Sequence, residues 1–365
     1  MHISKYNLIF DTKEPDWFVI LNPLSRSIDL LDSRAIEILQ SPGASDALNA
    51  FPEFRRLCLD RGYVYNETND EEQRLRALEI QSKELSDAEP LTFVVYVTFA
   101  CNLRCTYCFE SRSLQVQRGV IQPDVIDSLF RAIAELREQR NNALPPEITL
   151  FGGEPLLRGK AHEAAITRIL DCCKEKGYRI SMITNGVELG GYSDLLSRYD
   201  IENIQITVDG PQRIHDQRRI FANGQGSFHR IVAGIDTALE KGLKISLRVN
   251  IDDQNVTYLP ELADFILQKG WLEKRVDVYI TPVNENGPEN KVCLQQSRIE
   301  TLKTLLDMKQ RHRQLDFMTI SHWLVQYFES ILERGTLPMP ETRFCEATTG
   351  TQYSVDFLGR VFTCC

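Results

Sequence analysis

Three cysteines within eight residues, Cys101, Cys105 and Cys108, are the part of this sequence best suited to chemistry. Thiolates are soft ligands, and three of them from one loop suit an iron–sulfur cube or a zinc ion. A closed structural zinc site takes four ligands, and no fourth lies nearby in the sequence. Three cysteines on a four-iron cluster leave one iron open to a substrate or cofactor. A second arrangement, Phe151-Gly152-Gly153-Glu154-Pro155, offers paired glycines that let backbone approach a ligand and a carboxylate that accepts from an ammonium group. The chain has ten cysteines. Cys58, Cys172, Cys173 and Cys293 lack metal spacing and read as ordinary thiols. Cys345, Cys364 and Cys365 lie far downstream, with Gly359 and the aromatics Tyr353, Phe357 and Phe362 between the first two.

Residues so far apart need a scaffold that gathers them. Apolar, β-branched runs at Phe93 to Phe99, Glu147 to Phe151, Arg179 to Thr184, Asn203 to Val208, Lys244 to Asn250 and Val276 to Thr281 alternate with helical segments. The helical segments include Asp124 to Glu138, His162 to Lys176, Phe228 to Lys241 and Leu259 to Lys269. This alternation predicts an α/β fold of successive βα units around a parallel sheet. Such sheets hold ligands at the C-terminal ends of their strands. The cysteine loop follows the first strand, the Gly-Gly-Glu run the second, and Asn185-Gly186 the third.

The loop from Cys101 to Phe109, with Asn102 and with Tyr107 before the last cysteine, resembles the signature of radical S-adenosylmethionine enzymes. The run Gln205-Ile206-Thr207-Val208-Asp209-Gly210-Pro211, then His215 to Arg219 and Gly226-Ser227-Phe228, is similar to that of anaerobic sulfatase-maturing enzymes and other peptide-modifying members. The resemblance implies a partial (β/α)6 barrel and two cofactors, a [4Fe-4S] cluster on Cys101, Cys105 and Cys108 and S-adenosyl-L-methionine on its open iron. In that family a 5′-deoxyadenosyl radical is released, the cofactor supplying reactivity and the protein supplying position. It implies cofactor contacts from Tyr107, Gly152, Gly153, Glu154 and Asn185, from Thr207 toward the ribose and from Arg219 toward the carboxylate, with Arg248 as a further contact. His215 and Asp216 read as residues that order their own loop. No catalytic acid or base is assigned.

The spacing of Cys345, Gly359 and Cys364 resembles the opening hairpin of the SPASM extension, which binds auxiliary [4Fe-4S] clusters in peptide maturases. Its later cysteines are missing, so the extension is expected to be incomplete, with any auxiliary cluster belonging to a longer chain. Residues 1–66 resemble the small α+β winged-helix-like elements that grip a precursor's leader by strand addition. The expected organisation is a leader-recognition domain over 1–66, a linker helix over 67–90, the partial barrel over 91–285, a helical bridge over 286–340 and the start of the extension over 341–365.

Lys plus Arg at 42 against Asp plus Glu at 51 gives a net charge of −9, which argues against a general nucleic-acid or anionic-membrane binder. The N-terminus lacks the layout of a secretory signal, so the expected location is the cytoplasm, where a disulfide framework is not expected. The expected function is radical modification of a ribosomally made precursor peptide, with a flavodoxin- or ferredoxin-type reductant as the further partner the resemblance implies. The alternatives are sulfatase maturation and a non-enzymatic iron–sulfur or zinc protein that binds peptides.

Overall fold

The computed structural model describes residues 1–110, 112–115, 117, 119–140, 142–283, 294–339 and 350–363. The chain divides into two units.

The first unit comprises Met1–Ala88 and His322–Cys345. Its strands are β1 (His2–Ile3), β2 (Leu8–Asp11), β3 (Trp17–Asn22), β4 (Ser27–Asp32) and β5 (Val64–Tyr65). β2, β3 and β4 form an antiparallel sheet, and β1 pairs with β5. The β3–β4 hairpin turns at Pro23 to Arg26, as the sequence predicts, with Arg26 taking a φ of 63°. Alternation along β3 and β4 sends Ile20 and Leu31 into a core completed by Ile36, Leu39, Leu48 and Cys58 from the helices Ser33–Gln40, Ala44–Asn49 and Pro52–Asp60. Asp32 caps the first of these helices by accepting from the Ala35 N–H at 2.8 Å. The helix Thr68–Asp87 carries the buried Glu71, which accepts from the Ser4 hydroxyl at 2.5 Å and the Lys5 N–H at 3.2 Å. The sequence pattern does not mark β1 or the helix Ala44–Asn49, because both are too short to display a period.

The second unit comprises Glu89–Ser321 and Glu346–Cys365. Its strands are β6 (Thr92–Thr98), β7 (Glu147–Gly152), β8 (Arg179–Thr184), β9 (Asn203–Thr207), β10 (Ile245–Ile251), β11 (Asp277–Pro282), β12 (Met318–Ile320), β13 (Gln352–Val355) and β14 (Val361–Phe362). They lie in the order β12-β11-β10-β9-β8-β7-β6-β13-β14. All neighbouring pairs are parallel except β13–β14. The six strands read from the sequence are β6 to β11, each within two residues of its expected bounds.

Burial alternates along the sheet, so one face is packed and the other open. Ile148, Leu150, Ile180, Met182, Ile204, Ile206, Leu247, Val249, Val278 and Ile280 are buried. Helices including Pro123–Gln139, Lys160–Lys176, Phe228–Glu240 and Leu259–Gln268 bury apolar residues of their own, such as Ile133, Ile166, Ile235 and Ile266. Truncating any of these core side chains to Ala costs about 2–5 kcal/mol through lost transfer energy and a cavity. On the other face, Thr149, Ser181, Gln205, Arg248 and Tyr279 are only half-buried. β13 extends the sheet beyond β6, and Tyr353 stacks on Phe93 with ring centroids 5.4 Å apart.

Candidate active site

The cysteine loop leaves β6 and is fastened from two sides. On one side the Arg104 N–H donates to the Ile220 carbonyl at 2.7 Å and the Thr106 N–H to that of Arg218 at 2.9 Å. On the other, the Gly153 N–H reaches the Thr98 carbonyl and the Glu154 N–H the Ala100 carbonyl, both at 2.9 Å. The paired glycines make that approach possible. A Cβ on Gly152, at φ 131°, would stand 2.2 Å from Thr98 O, and one on Gly153 would stand 2.3 Å from Phe99 O and 2.5 Å from Ala100 O. Their smallness therefore serves the backbone entering the cysteine loop.

Glu154 is buried and faces the exit of β8. It accepts from the Thr184 hydroxyl at 2.5 Å, the Asn185 N–H at 2.6 Å and the Leu156 N–H at 2.9 Å. Burial raises its pKa, and these three donors oppose that rise. Three of a carboxylate's roughly four acceptor positions are thus filled. The Asn185 side chain donates to Asn102 Oδ1 at 2.7 Å and lies 3.9 Å from Cys101 Sγ. β7 and β8 thereby brace the residue next to the first cysteine.

The opposite wall is a network the sequence did not announce. Arg219 is buried and donates through Nη1 to the Tyr107 hydroxyl at 2.7 Å. Tyr107 also receives the Asn250 side-chain amide at 3.3 Å, and Arg218 lies over its ring at 4.9 Å. Asp209, fully buried, sits 3.6 Å from Arg218 Nε and accepts the Asn250 N–H at 3.2 Å, while Arg218 donates to Asp252 at 2.7 Å. Asn255 donates to the carbonyls of both Asp209 and Asn250 at 2.8 Å.

His215 and Asp216 do order their loop, though not by bonding to each other. The Asp209 N–H points at His215 Nδ1 at 3.3 Å, His215 Nε2 lies 3.1 Å from the Ser227 hydroxyl, and Ser227 donates to the Arg219 carbonyl at 2.6 Å. This chain of donors requires a neutral imidazole with its proton on Nε2. Burial, with Arg219 and Arg218 nearby, holds the His215 pKa well below the ordinary range. Asp216 accepts the Phe228 N–H at 2.9 Å. Thr207, buried at the end of β9, has no side-chain partner among the described residues and stands in register beside Arg248.

These features fit a four-iron cluster with an anionic, amino-bearing cofactor. No three His, Cys, Asp or Glu side chains among the described residues are gathered for a single ion, and a cube does not require it, since each thiolate holds a different iron. Burial pushes the Cys101 thiol up to about 12 and raises Cys105 and Cys108, so thiolates here call for a metal to stabilise them. Arg219 Nε is buried with no acceptor among the described residues, as a guanidinium awaiting a carboxylate would be. Cys345 and Cys364 lie outside the described residues.

The radical SAM superfamily model matches residues 95–266. This chain carries a radical SAM domain. Members of that superfamily use a [4Fe-4S] cluster and S-adenosylmethionine. The cysteine-type anaerobic sulfatase-maturating enzyme of Clostridium perfringens (strain 13 / Type A) is 21% identical over 287 residues, 75% of this chain and 74% of the relative. A probable GTP 3′,8-cyclase of Methanothermobacter thermautotrophicus is 26% identical over 264 residues, 71% of this chain and 80% of the relative. Among solved structures, native anSMEcpe with bound AdoMet matches with a TM-score of 0.58 at 18% identity, over 75% of this chain and 74% of that one. Streptococcus suis SuiB bound to precursor peptide SuiA matches with a TM-score of 0.54 at 16% identity, over 100% of this chain and 83% of that one. The sheet of the second unit is therefore the radical SAM partial barrel.

Proposed function

We propose that this radical SAM enzyme modifies a ribosomally synthesised precursor peptide. The observation that carries the reading is the extent of the likeness to SuiB, whose structure was solved with a precursor peptide and whose match takes in the whole of this chain, the first unit included. The GTP cyclase relative covers 71% of it. β2 supports the same reading, because it lies at the edge of its sheet and has β3 as its one pairing partner among the described residues. An edge strand presents unpaired N–H and C=O groups to which an extended leader can add.

In this reading Cys101, Cys105 and Cys108 hold the cluster, and Arg219 receives the carboxylate of S-adenosylmethionine through its Nε. The Gly152-Gly153 backbone and the remaining acceptor position of Glu154 face the amino group, with Thr207 toward the ribose. Tyr107 and Asn185 act on the cofactor indirectly, since their polar atoms are engaged with Asp209, Arg219 and Asn250 in one case and Asn102 in the other. When bound, the two cofactors supply a carbon-centred radical able to remove hydrogen from an unactivated carbon. The test is anaerobic co-expression with short peptides encoded beside the gene. A cofactor-dependent mass change in one of them supports the reading, whereas cofactor cleavage with every such peptide unchanged defeats it.

A further inference from the structure

Among the described residues Arg248 is a guanidinium without a carboxylate. Arg179, on the same sheet, is held by Glu147 and Glu202, and Arg218 by Asp209 and Asp252. Among the described residues no carboxylate pairs with Arg248, whose Nε donates to Asn250 Oδ1 at 2.8 Å while no partner takes its Nη groups. It stands in register with Thr207 on β9 and Tyr279 on β11, so the three project from the same face of the sheet, the open one. Tyr279 donates to Gln205 Oε1, which turns that amide so that its NH2 is also left without an acceptor among the described residues. Two donors, each held by one neighbour, therefore stand half-buried on the open face of the adjacent strands β9 and β10.

A partly desolvated guanidinium with no counter-charge is better satisfied by a ligand that supplies one than by water alone. A planar fork beside an amide NH2 suits a carboxylate best. S-adenosylmethionine carries one carboxylate, and the buried, unpartnered Nε of Arg219 is the receptor already placed for it. A second receptor calls for a second carboxylate. We propose that Arg248 and Gln205 bind a carboxylate of the substrate, so that the peptide carries an acidic residue at or beside its modified position. The inference rests on the peptide-modifying reading and adds to it a selectivity determinant.

Phenylglyoxal labelling of the anaerobically reconstituted full chain, read by peptide mass at Arg248, tests this. Arg248 should label in the cofactor-free enzyme and at the same rate with saturating S-adenosylmethionine. Acetyl-Gly-Ala-Glu-Ala-Gly-amide should slow labelling at least about fivefold, the factor that 1 kcal/mol from a charge-assisted contact gives. The Gln analogue should not, and Gln205→Ala should weaken the protection. Absence of label in the free enzyme, equal protection by the Glu and Gln peptides, or protection by neither would overturn the proposal. Protection by S-adenosylmethionine alone would assign the second carboxylate receptor to the cofactor and overturn it too. A modified precursor with no acidic residue near the altered position would defeat the Arg248 assignment while leaving the peptide-modifying reading intact.

Discussion

The Tyr107 hydroxyl donates to Asp209 Oδ2 at 2.5 Å, tying the cysteine loop to the exit of β9 across 102 positions of sequence. Asp209 is the anion that makes two buried arginines tolerable beside that loop. Asp209→Asn leaves them under-compensated, and breaking such a pair costs about 3–5 kcal/mol. The expected result is a large drop in the anaerobic urea midpoint, with Tyr107→Phe giving a smaller one. Wild-type stability in Asp209→Asn would show that the network is balanced elsewhere.

Gly153→Ala places a methyl group against two carbonyl oxygens of the strand that enters the cysteine loop. The loop must shift, so iron loading should fall sharply although no ligand is changed. Iron content after anaerobic reconstitution is the measurement, and full loading of the variant would contradict the packing argument.

Replacing Cys101, Cys105 and Cys108 together by Ala should abolish cofactor cleavage and the iron–sulfur absorption. Wild-type iron should be near four per chain for one fully loaded cluster. Iron and cleavage unchanged in the triple variant would sink the metal assignment.

Arg219→Ala should retain the cluster yet weaken S-adenosylmethionine binding by about tenfold or more, since hydrogen bonds to charged groups contribute about 1.5–3 kcal/mol. Equilibrium binding to the reconstituted protein measures it. Unchanged affinity would move the cofactor carboxylate to another partner.

His215 gives a stability prediction with a defined sign. It is neutral and buried when folded, with its pKa held well below 6.5, whereas the unfolded chain takes up a proton near that value. The unfolded state therefore binds more protons below about pH 6.5, and stability present above that range is lost as pH falls, by at most about 1.4 kcal/mol per pH unit. The urea midpoint should decline less steeply between about pH 7.5 and pH 5.5 in His215→Gln than in the wild type. Equal slopes would mean that other groups govern the acid limb.

Much of the barrel was legible because its signals are local. β6 to β11 are short β-branched runs between amphipathic helices, and Cys101, Gly153, Glu154 and Asn185 sit in contiguous motifs at their exits. Asp209, Arg218, Asn250 and Asn255 were not legible as a group, since they meet only when β9, β10 and the helix Gln212–Arg218 are folded together. Asn185 reads as a cofactor contact in sequence, and its amide is bonded to Asn102. β12 escaped notice because a strand of three residues carries no period. The hairpin about Gly359 that the sequence suggested is β13–β14, but the pairing of β13 with β6 was not legible, since that partner lies far away in the chain.

That last pairing bears on how the protein is made. Gln352 to Val355 occupy the flank of β6 opposite β7, so this flank stays open until roughly 260 further residues have been synthesised, on the order of 13–50 s on a ribosome. Through that interval the nascent chain exposes the edge of the strand that leads into the cluster loop, and an uncovered edge invites pairing with other chains. Slow translation or chaperone cover over residues 99–350 should therefore affect the yield of active enzyme more than its final stability.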